Sequence, residues 1–282
     1  MVGDFELKKL AVYFPCEAGF VKAVDNVTVK FAKGTYTAVI GESGCGKSVL
    51  GQAILGILPD NIHKAGELEY LNCNLLEQLP ANYHGKIIGI VPQNPSESMN
   101  PTRIIKKQML DAVGDKANAL ELIKASLKAF GLEDVERVLS AYPFELSGGM
   151  QQRVLCAMSM LNKPEWILSD EPTKGLDETT AEVVYENLQR IKQEYDCGML
   201  IITHDIQLAK KLCDNIAVMY SGQILEFGNK VLEEPKHPYT QAFIAALPER
   251  DEVKEEEKIK VIVIPEVITI KDLSDKMKMV PS

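Results

Sequence analysis

No stretch of this sequence approaches the roughly 18 consecutive apolar residues that a membrane span needs. There is no secretory leader pattern either. The opening MVGDFELKKLAVYF alternates like a strand and lacks an apolar core ending in small residues. CxxC pairs are absent, and Cys16, Cys45, Cys73, Cys156, Cys197 and Cys213 are dispersed. That spacing argues against a disulfide framework or a cysteine metal site, and points to reduced thiols in a cytosolic compartment. No period of about 20–50 residues repeats, which argues against a solenoid or propeller. Positive charge is in deficit: 31 basic against 40 acidic residues give a net charge of −9. Broad, non-specific nucleic-acid binding is disfavoured by that balance, and only a local basic patch is left open.

What is present is ordinary globular material, 46% hydrophobic and 25% charged, which excludes a wholly disordered, collagenous or mucin-like chain. A length of 282 residues allows one large domain or two small ones. FELKKLAVYF, VKAVDNVTVKF and GTYTAVIG read as closely spaced strands, the pattern of an antiparallel sheet. SVLGQAILGIL has helical apolar spacing, and KIIGIV after Gly85 is a further short strand. The middle of the chain, about 95–161, carries i, i+3, i+4 stripes and is predicted to be a helical subdomain. WILSDEP, TTAEVVYENLQRIKQEY, GMLIITHD and DIQLAKKLC then alternate strand and helix, which predicts a parallel sheet. NIAVMYSGQILEFG predicts a hairpin turning at Ser221-Gly222. RDEVKEEEKIK is a charge run of the kind found in linkers and solvated helices, so a boundary is expected at 248, with 249–282 a short acidic linker and extension.

Gly41-Glu42-Ser43-Gly44-Cys45-Gly46-Lys47-Ser48 fits G-x-x-x-x-G-K-[ST], with a strand before it and a helix after. Glycines let successive N–H groups curl around a polyphosphate without side-chain collision. The helix start beyond adds roughly half a positive charge aimed at the same anion. Lys47 is placed to neutralise β- and γ-phosphates, and the Ser48 hydroxyl to coordinate Mg²⁺. This pattern indicates nucleoside triphosphate binding; a glycine-rich turn that binds nothing is the plain alternative. Cys45 fills a small-residue slot, and a redox role there would need a lowered thiol pKa.

Asp170 and Glu171 end the apolar run WILSDE, and ligands of parallel α/β sheets bind at such strand ends. Asp170 is positioned as the Mg²⁺-side acid. Glu171, one residue on, points elsewhere, toward a water in line with the γ-phosphate. Alone, the pair would read as a solvated turn. In Leu146-Ser147-Gly148-Gly149-Met150-Gln151-Gln152-Arg153, Ser147 is a good N-cap for a helix beginning near Met150, and the two glycines leave its first N–H groups open to an anion. A plain capped helix is the alternative.

GESGCGKS at 41–48, LSGGMQQR at 146–153 and ILSDEP at 167–172 stand in the order found in ABC transporter ATPases, and the resemblance covers about residues 5–247. It implies an α/β P-loop NTPase fold: a RecA-like core, an N-terminal antiparallel β subdomain, an α-helical subdomain and a short C-terminal extension. Gln93 in IVPQNP resembles the Q-loop, which would sense Mg²⁺ beside Ser48 and Asp170. Gly175-Leu176-Asp177 resembles the D-loop, and His204 in IITHD the switch histidine. The implied catalytic set is Glu171, His204, Lys47 and Gln93. Val49, directly after the loop, joins the nucleotide-binding segment, and an upstream aromatic, Tyr13 or else Phe20, would stack on adenine. The family's head-to-tail dimer implies that Ser147, Gly148, Gly149, Gln151 and Asp177 face the nucleotide of a partner subunit.

The resemblance further implies ATP and Mg²⁺ as cofactors. It implies as partners a second ATPase subunit (a paralogue or a second copy), two transmembrane permease subunits and an extracytoplasmic binding protein. The chain would then sit at the cytoplasmic face of the membrane, without nucleic acid. QNPSESMNP, YPFELSGGMQQR and HPYTQAFIAALP resemble the peptide and nickel importer branch, and LGILPDNI and FGLEDVERVLSAYPFE its nickel-type members. The last cysteine is Cys213, so the C-terminal iron–sulfur cluster of many peptide-type members is not expected. The competing class is a non-transport ABC ATPase acting on nucleic acid or ribosomes. A single cassette and an acidic balance weigh against it. A P-loop kinase or GTPase would have no use for LSGGMQQR.

Overall fold

Alternating residues near the N-terminus form two long antiparallel strands, β1 (Phe5–Cys16) and β2 (Gly19–Phe31), which pair with Phe5 opposite Phe31. The computed structural model describes residues 3–246 apart from 18, 93, 94 and 115. Between β3 (Tyr36–Ile40) and α1 (Lys47–Leu55) lies the glycine-rich loop. The helix stops at Gly56, in the left-handed region with φ 67°, where its N–H reaches the Ala53 and Gln52 carbonyls. β4 (His63–Tyr70) and the short β5 (Cys73–Asn74) follow, and β4 pairs antiparallel with β1. Among the described residues these strands make a four-stranded sheet in the order β2-β1-β4-β5.

β6 is only Ile88–Val91. The start of KIIGIV is instead taken by an irregular turn at Tyr83–Ile87, with His84 extended and Gly85 at φ 91°, pinned where the Tyr83 hydroxyl donates to the Ile54 carbonyl. The predicted helical block follows as α2 (Pro95–Ser98), α3 (Ile105–Val113), α4 (Ala119–Ala129), α5 (Val135–Ser140) and α6 (Gly148–Met160). Its apolar stripes meet in one core that holds Met109, Ile123, Leu127, Phe130 and Val154, all buried.

The second half alternates as predicted: β7 (Trp166–Asp170), α7 (Glu178–Glu194), β8 (Gly198–Ile202) and α8 (Ile206–Leu212). The hairpin β9 (Asn215–Tyr220) and β10 (Gln223–Gly228) turns at Ser221-Gly222, and α9 (Pro238–Ala245) comes last. Among the described residues the second sheet runs β10-β9-β3-β8-β7-β6, parallel except for the β10 edge. β3 and β8 are buried along their whole length, as strands covered on both faces must be. The chain up to Ala245 forms one compact unit. The expected boundary at 248 and the extension 249–282 lie outside the described residues.

The two sheets meet at Trp166, which is fully buried. Its ring lies 5.0 Å from that of Phe5 in β1, and its indole N–H donates to the Gly3 carbonyl at 2.9 Å. Trp166→Ala is expected to cost about 3–5 kcal/mol of stability by leaving a cavity at that junction. Urea unfolding of the full chain, read by circular dichroism, measures it.

Candidate functional site

Parallel pairing sets neighbouring strand ends level. Val39 and Asp170 both lie in register with Ile202, so β3, β8 and β7 finish along one edge. From that edge β3 continues into the glycine loop, β7 into Glu171, and β8 into Thr203-His204. Val91, at the end of β6, lies beside Ser169, whose hydroxyl donates to its carbonyl at 3.2 Å. Gln93, two residues further on, lies outside the described residues.

The loop holds its shape by close backbone packing. A Cβ at Gly46 (φ +107°) would stand 1.9 Å from the Ala23 carbonyl oxygen of β2, and one at Gly41 2.1 Å from the Met219 carbonyl oxygen of β9. The hairpin turn adds a hydrogen bond from the Gly222 N–H to the Cys45 carbonyl at 2.9 Å. Inside the loop the Lys47 ammonium donates to the carbonyls of Gly41 (2.9 Å) and Glu42 (2.8 Å) and is almost fully buried. Glu42, Ser43, Gly44 and Ser48 are exposed, and Val49 packs against the strand core. Cys45 is buried, and burial pushes its thiol above the ordinary value in spite of the Lys47 charge. This is the reverse of what a reactive thiol needs.

The Ser48 hydroxyl donates to Asp170 Oδ1 at 3.4 Å, which sets two hard oxygen donors side by side. Burial raises the Asp170 carboxyl above its ordinary value; the Ser48 hydroxyl lowers it, and the Glu171 charge raises it further. Glu171 has a left-handed backbone, φ +48°, and its N–H donates to the Ile202 carbonyl at 2.7 Å. That conformation turns its carboxylate to His204, with Oε2 2.6 Å from Nδ1. Asp205 ties the two loops together: one oxygen caps α8 at the Leu208 N–H and the other accepts from the Thr173 hydroxyl at 3.3 Å. The charged groups on β7 and β8 therefore face one another across the end of the loop.

The remaining predicted residues stand elsewhere or do other work. The helix of LSGGMQQR starts at Gly148, not near Met150, with the Ser147 hydroxyl accepting the Met150 N–H at 3.4 Å. Ser147 and Gly148 are exposed, and no side chain comes within 4 Å of where a Gly148 Cβ would be. Gln151 is turned inward rather than outward: it is 8% exposed and its amide donates to the Pro143 and Leu146 carbonyls at 2.8 and 3.1 Å. It shapes the approach to the glycines. Asp177 caps α7, accepting the Thr180 N–H (3.0 Å) and hydroxyl (2.8 Å), which hold its carboxyl below the ordinary value.

Tyr13 is half-buried. Its hydroxyl donates to Asp25 and its ring lies 5.7 Å from that of His63. Phe20, 61% exposed, has its ring 6.4 Å from that of His63, so core packing does not account for it. Sequence reasoning missed two contributors. Asp205 has only the signal of an acid before a helix. The hairpin clasp shows only in the Ser221-Gly222 turn.

A sequence model described as ABC transporter matches residues 24–174. The oligopeptide transport ATP-binding protein OppD of Bacillus subtilis (strain 168) is 35% identical over 268 residues, covering 89% of this chain and 74% of the relative. The metal-staphylopine import system ATP-binding protein CntD of Staphylococcus aureus (strain Mu50 / ATCC 700699) is 35% identical over 232 residues, 79% of this chain and 86% of its own. The dimeric ATP-binding cassette MJ0796, solved in a post-hydrolysis state with ADP and Pi, superposes with a TM-score of 0.66 at 25% identity, covering 80% of this chain and 98% of that one.

Gly46→Ala is expected to destabilise the fold by more than about 1 kcal/mol, because both its positive φ and the Ala23 carbonyl oppose a Cβ. A thermal melt of the purified chain checks this.

Proposed function

The chain belongs to the ABC transporter family, and from that premise we propose that it is the ATP-hydrolysing, energy-coupling subunit of a binding-protein-dependent importer. The observation that carries this reading is the Glu171–His204 contact, 2.6 Å, at the sheet edge that also holds the glycine loop and Asp170.

The loop N–H groups and the start of α1 take the triphosphate, and Lys47, already anchored to its own loop, adds a positive charge at the β- and γ-phosphates. Ser48 and Asp170 would hold Mg²⁺ together with Gln93; the ion supplies charge neutralisation on the phosphate oxygens. Glu171 accepts a proton from the attacking water, and His204 keeps that carboxylate oriented and faces the charge that develops on the γ-phosphate. Tyr13 or Phe20, both near His63, stacks on adenine. Ser147 and Gly148, exposed, and the half-buried Gly149 are what a partner's nucleotide would meet. In the same paired arrangement Gln151 and Asp177 would complete the group turned to that nucleotide.

Among the described residues no helix is long and apolar enough to cross a membrane. In this reading the subunit reaches the membrane by docking to two permease subunits on its cytoplasmic face, paired with a paralogue or a second copy. The cargo is a metal chelate, nickel included, or a di- or oligopeptide, the two classes that the relatives' names span. What the cognate binding protein captures decides between them. Co-purification with a pair of polytopic membrane proteins supports the transport reading; salt-sensitive nucleic-acid binding would overturn it.

Glu171→Gln is expected to bind ATP and to dimerise while its turnover falls by about 10²–10⁴, the usual contribution of a general base. Phosphate release measured beside ATP binding tests this, and turnover near that of wild type removes Glu171 from the role.

A further inference from the structure

Glu171, at φ +48°, stands in a region that non-glycine residues avoid, and such a residue persists only where its surroundings over-determine it. Part of the restraint is local. Its N–H donates to the Ile202 carbonyl at 2.7 Å, and its carbonyl accepts the Lys174 N–H at 3.1 Å in the turn that follows. The Leu176 N–H then returns to the Thr173 carbonyl at 3.3 Å, inside the same loop. Pro172, directly after the acid, has no N–H to give. Among the described residues, one hydrogen bond ties residues 172–176 to another element: the Thr173 hydroxyl donates to Asp205 Oδ2 at 3.3 Å.

Asp205 is the fixed side of that bond. Its N–H donates to the Thr203 hydroxyl at 2.9 Å, its carbonyl accepts the Ala209 N–H at 3.1 Å, and Oδ1 accepts the Leu208 N–H at 3.0 Å. Thr203 is fully buried, and its own N–H donates to the Val39 carbonyl at 3.1 Å. Asp205 is thus keyed to the end of β3, where the glycine loop begins, and Oδ2 is the atom it has left for Thr173.

His204 stands between these two anchors. Its imidazole Nδ1 and its backbone N–H both reach Glu171 Oε2, at 2.6 and 3.4 Å. Because both contacts converge on one oxygen, a small shift of the loop after β7 would lengthen them together. We propose that the Thr173–Asp205 bond holds the Glu171 carboxylate against His204, which makes Thr173 and Asp205 positioning residues for hydrolysis. Neither belongs to the phosphate cradle. The bond therefore acts on proton transfer from the attacking water and leaves the grip on nucleotide as it is. This rests on the ATPase reading above.

The test uses the full chain, steady-state hydrolysis of Mg-ATP and calorimetric titration with the same nucleotide. Thr173→Val, which keeps the shape and removes the hydroxyl, is expected to lower kcat about tenfold, the scale of one lost hydrogen bond to a charged group, with Kd and KM changed less than twofold. Thr173→Ser, which restores the hydroxyl, is expected to bring kcat back to within about twofold of wild type on the same scale. Asp205→Ser keeps an oxygen to cap α8 but is too short to reach Thr173; it is expected to repeat the loss, and it decides the matter if Thr173→Val folds poorly. In a Glu171→Gln background Thr173→Val is expected to add nothing, because the group it positions is gone. Unchanged kcat in Thr173→Val, a loss that falls on Kd instead, no recovery in Thr173→Ser, or a full further loss on top of Glu171→Gln overturns the proposal. Absence of ATP turnover in the wild-type chain overturns the ATPase reading, and this proposal with it.

Discussion

Parallel pairing of β3 with β8, and of β8 with β7, determines where every charged group of the site can stand. A slip of one residue in either ladder would turn Asp170 or the loop glycines to the other face of the sheet. The register is held because these strands are apolar on both faces and have no solvated alternative: β3 and β8 are buried end to end, and Trp166 to Ser169 are buried in β7. Polar residues begin where the strands stop. The chemistry is concentrated at that edge because burial forbids it anywhere earlier in the strand.

The site is electrostatically uncomfortable on its own. Asp170 has a folded-state pKa above its unfolded one, with burial as the main cause. Its ionised form is therefore a stability cost at neutral pH, and the cost is relieved as pH falls through the raised value. A bound cation relieves it too, without the proton. Glu171 stands next to it and adds like charge. Two acids held this way are poor for stability. Binding and folding thus pull the same groups in opposite directions, and the clasp from Ala23 and Met219 keeps the loop in place meanwhile.

The central sheet and the helical block were legible because their periodicities are clean and long. The glycine loop and the Asp170-Glu171 pair stood out in glycine and acid spacing, whereas His204 stood out only through the family resemblance. β4 was not: HKAGELEY buries only Leu68 and Tyr70 and is otherwise charged and exposed, so neither period stands out. The inward turn of Gln151 was not legible, because nothing in a polar residue's type says that its amide will serve the Pro143 and Leu146 carbonyls.

The left-handed backbone at Glu171 has an evolutionary corollary. A non-glycine residue at φ +48° carries about 1–2 kcal/mol of local strain that glycine would not. Replacing Glu171 with glycine would remove both that strain and the carboxylate that meets His204. Drift toward glycine at this position would therefore run downhill in stability, and nothing in the folding of the chain itself favours the acid.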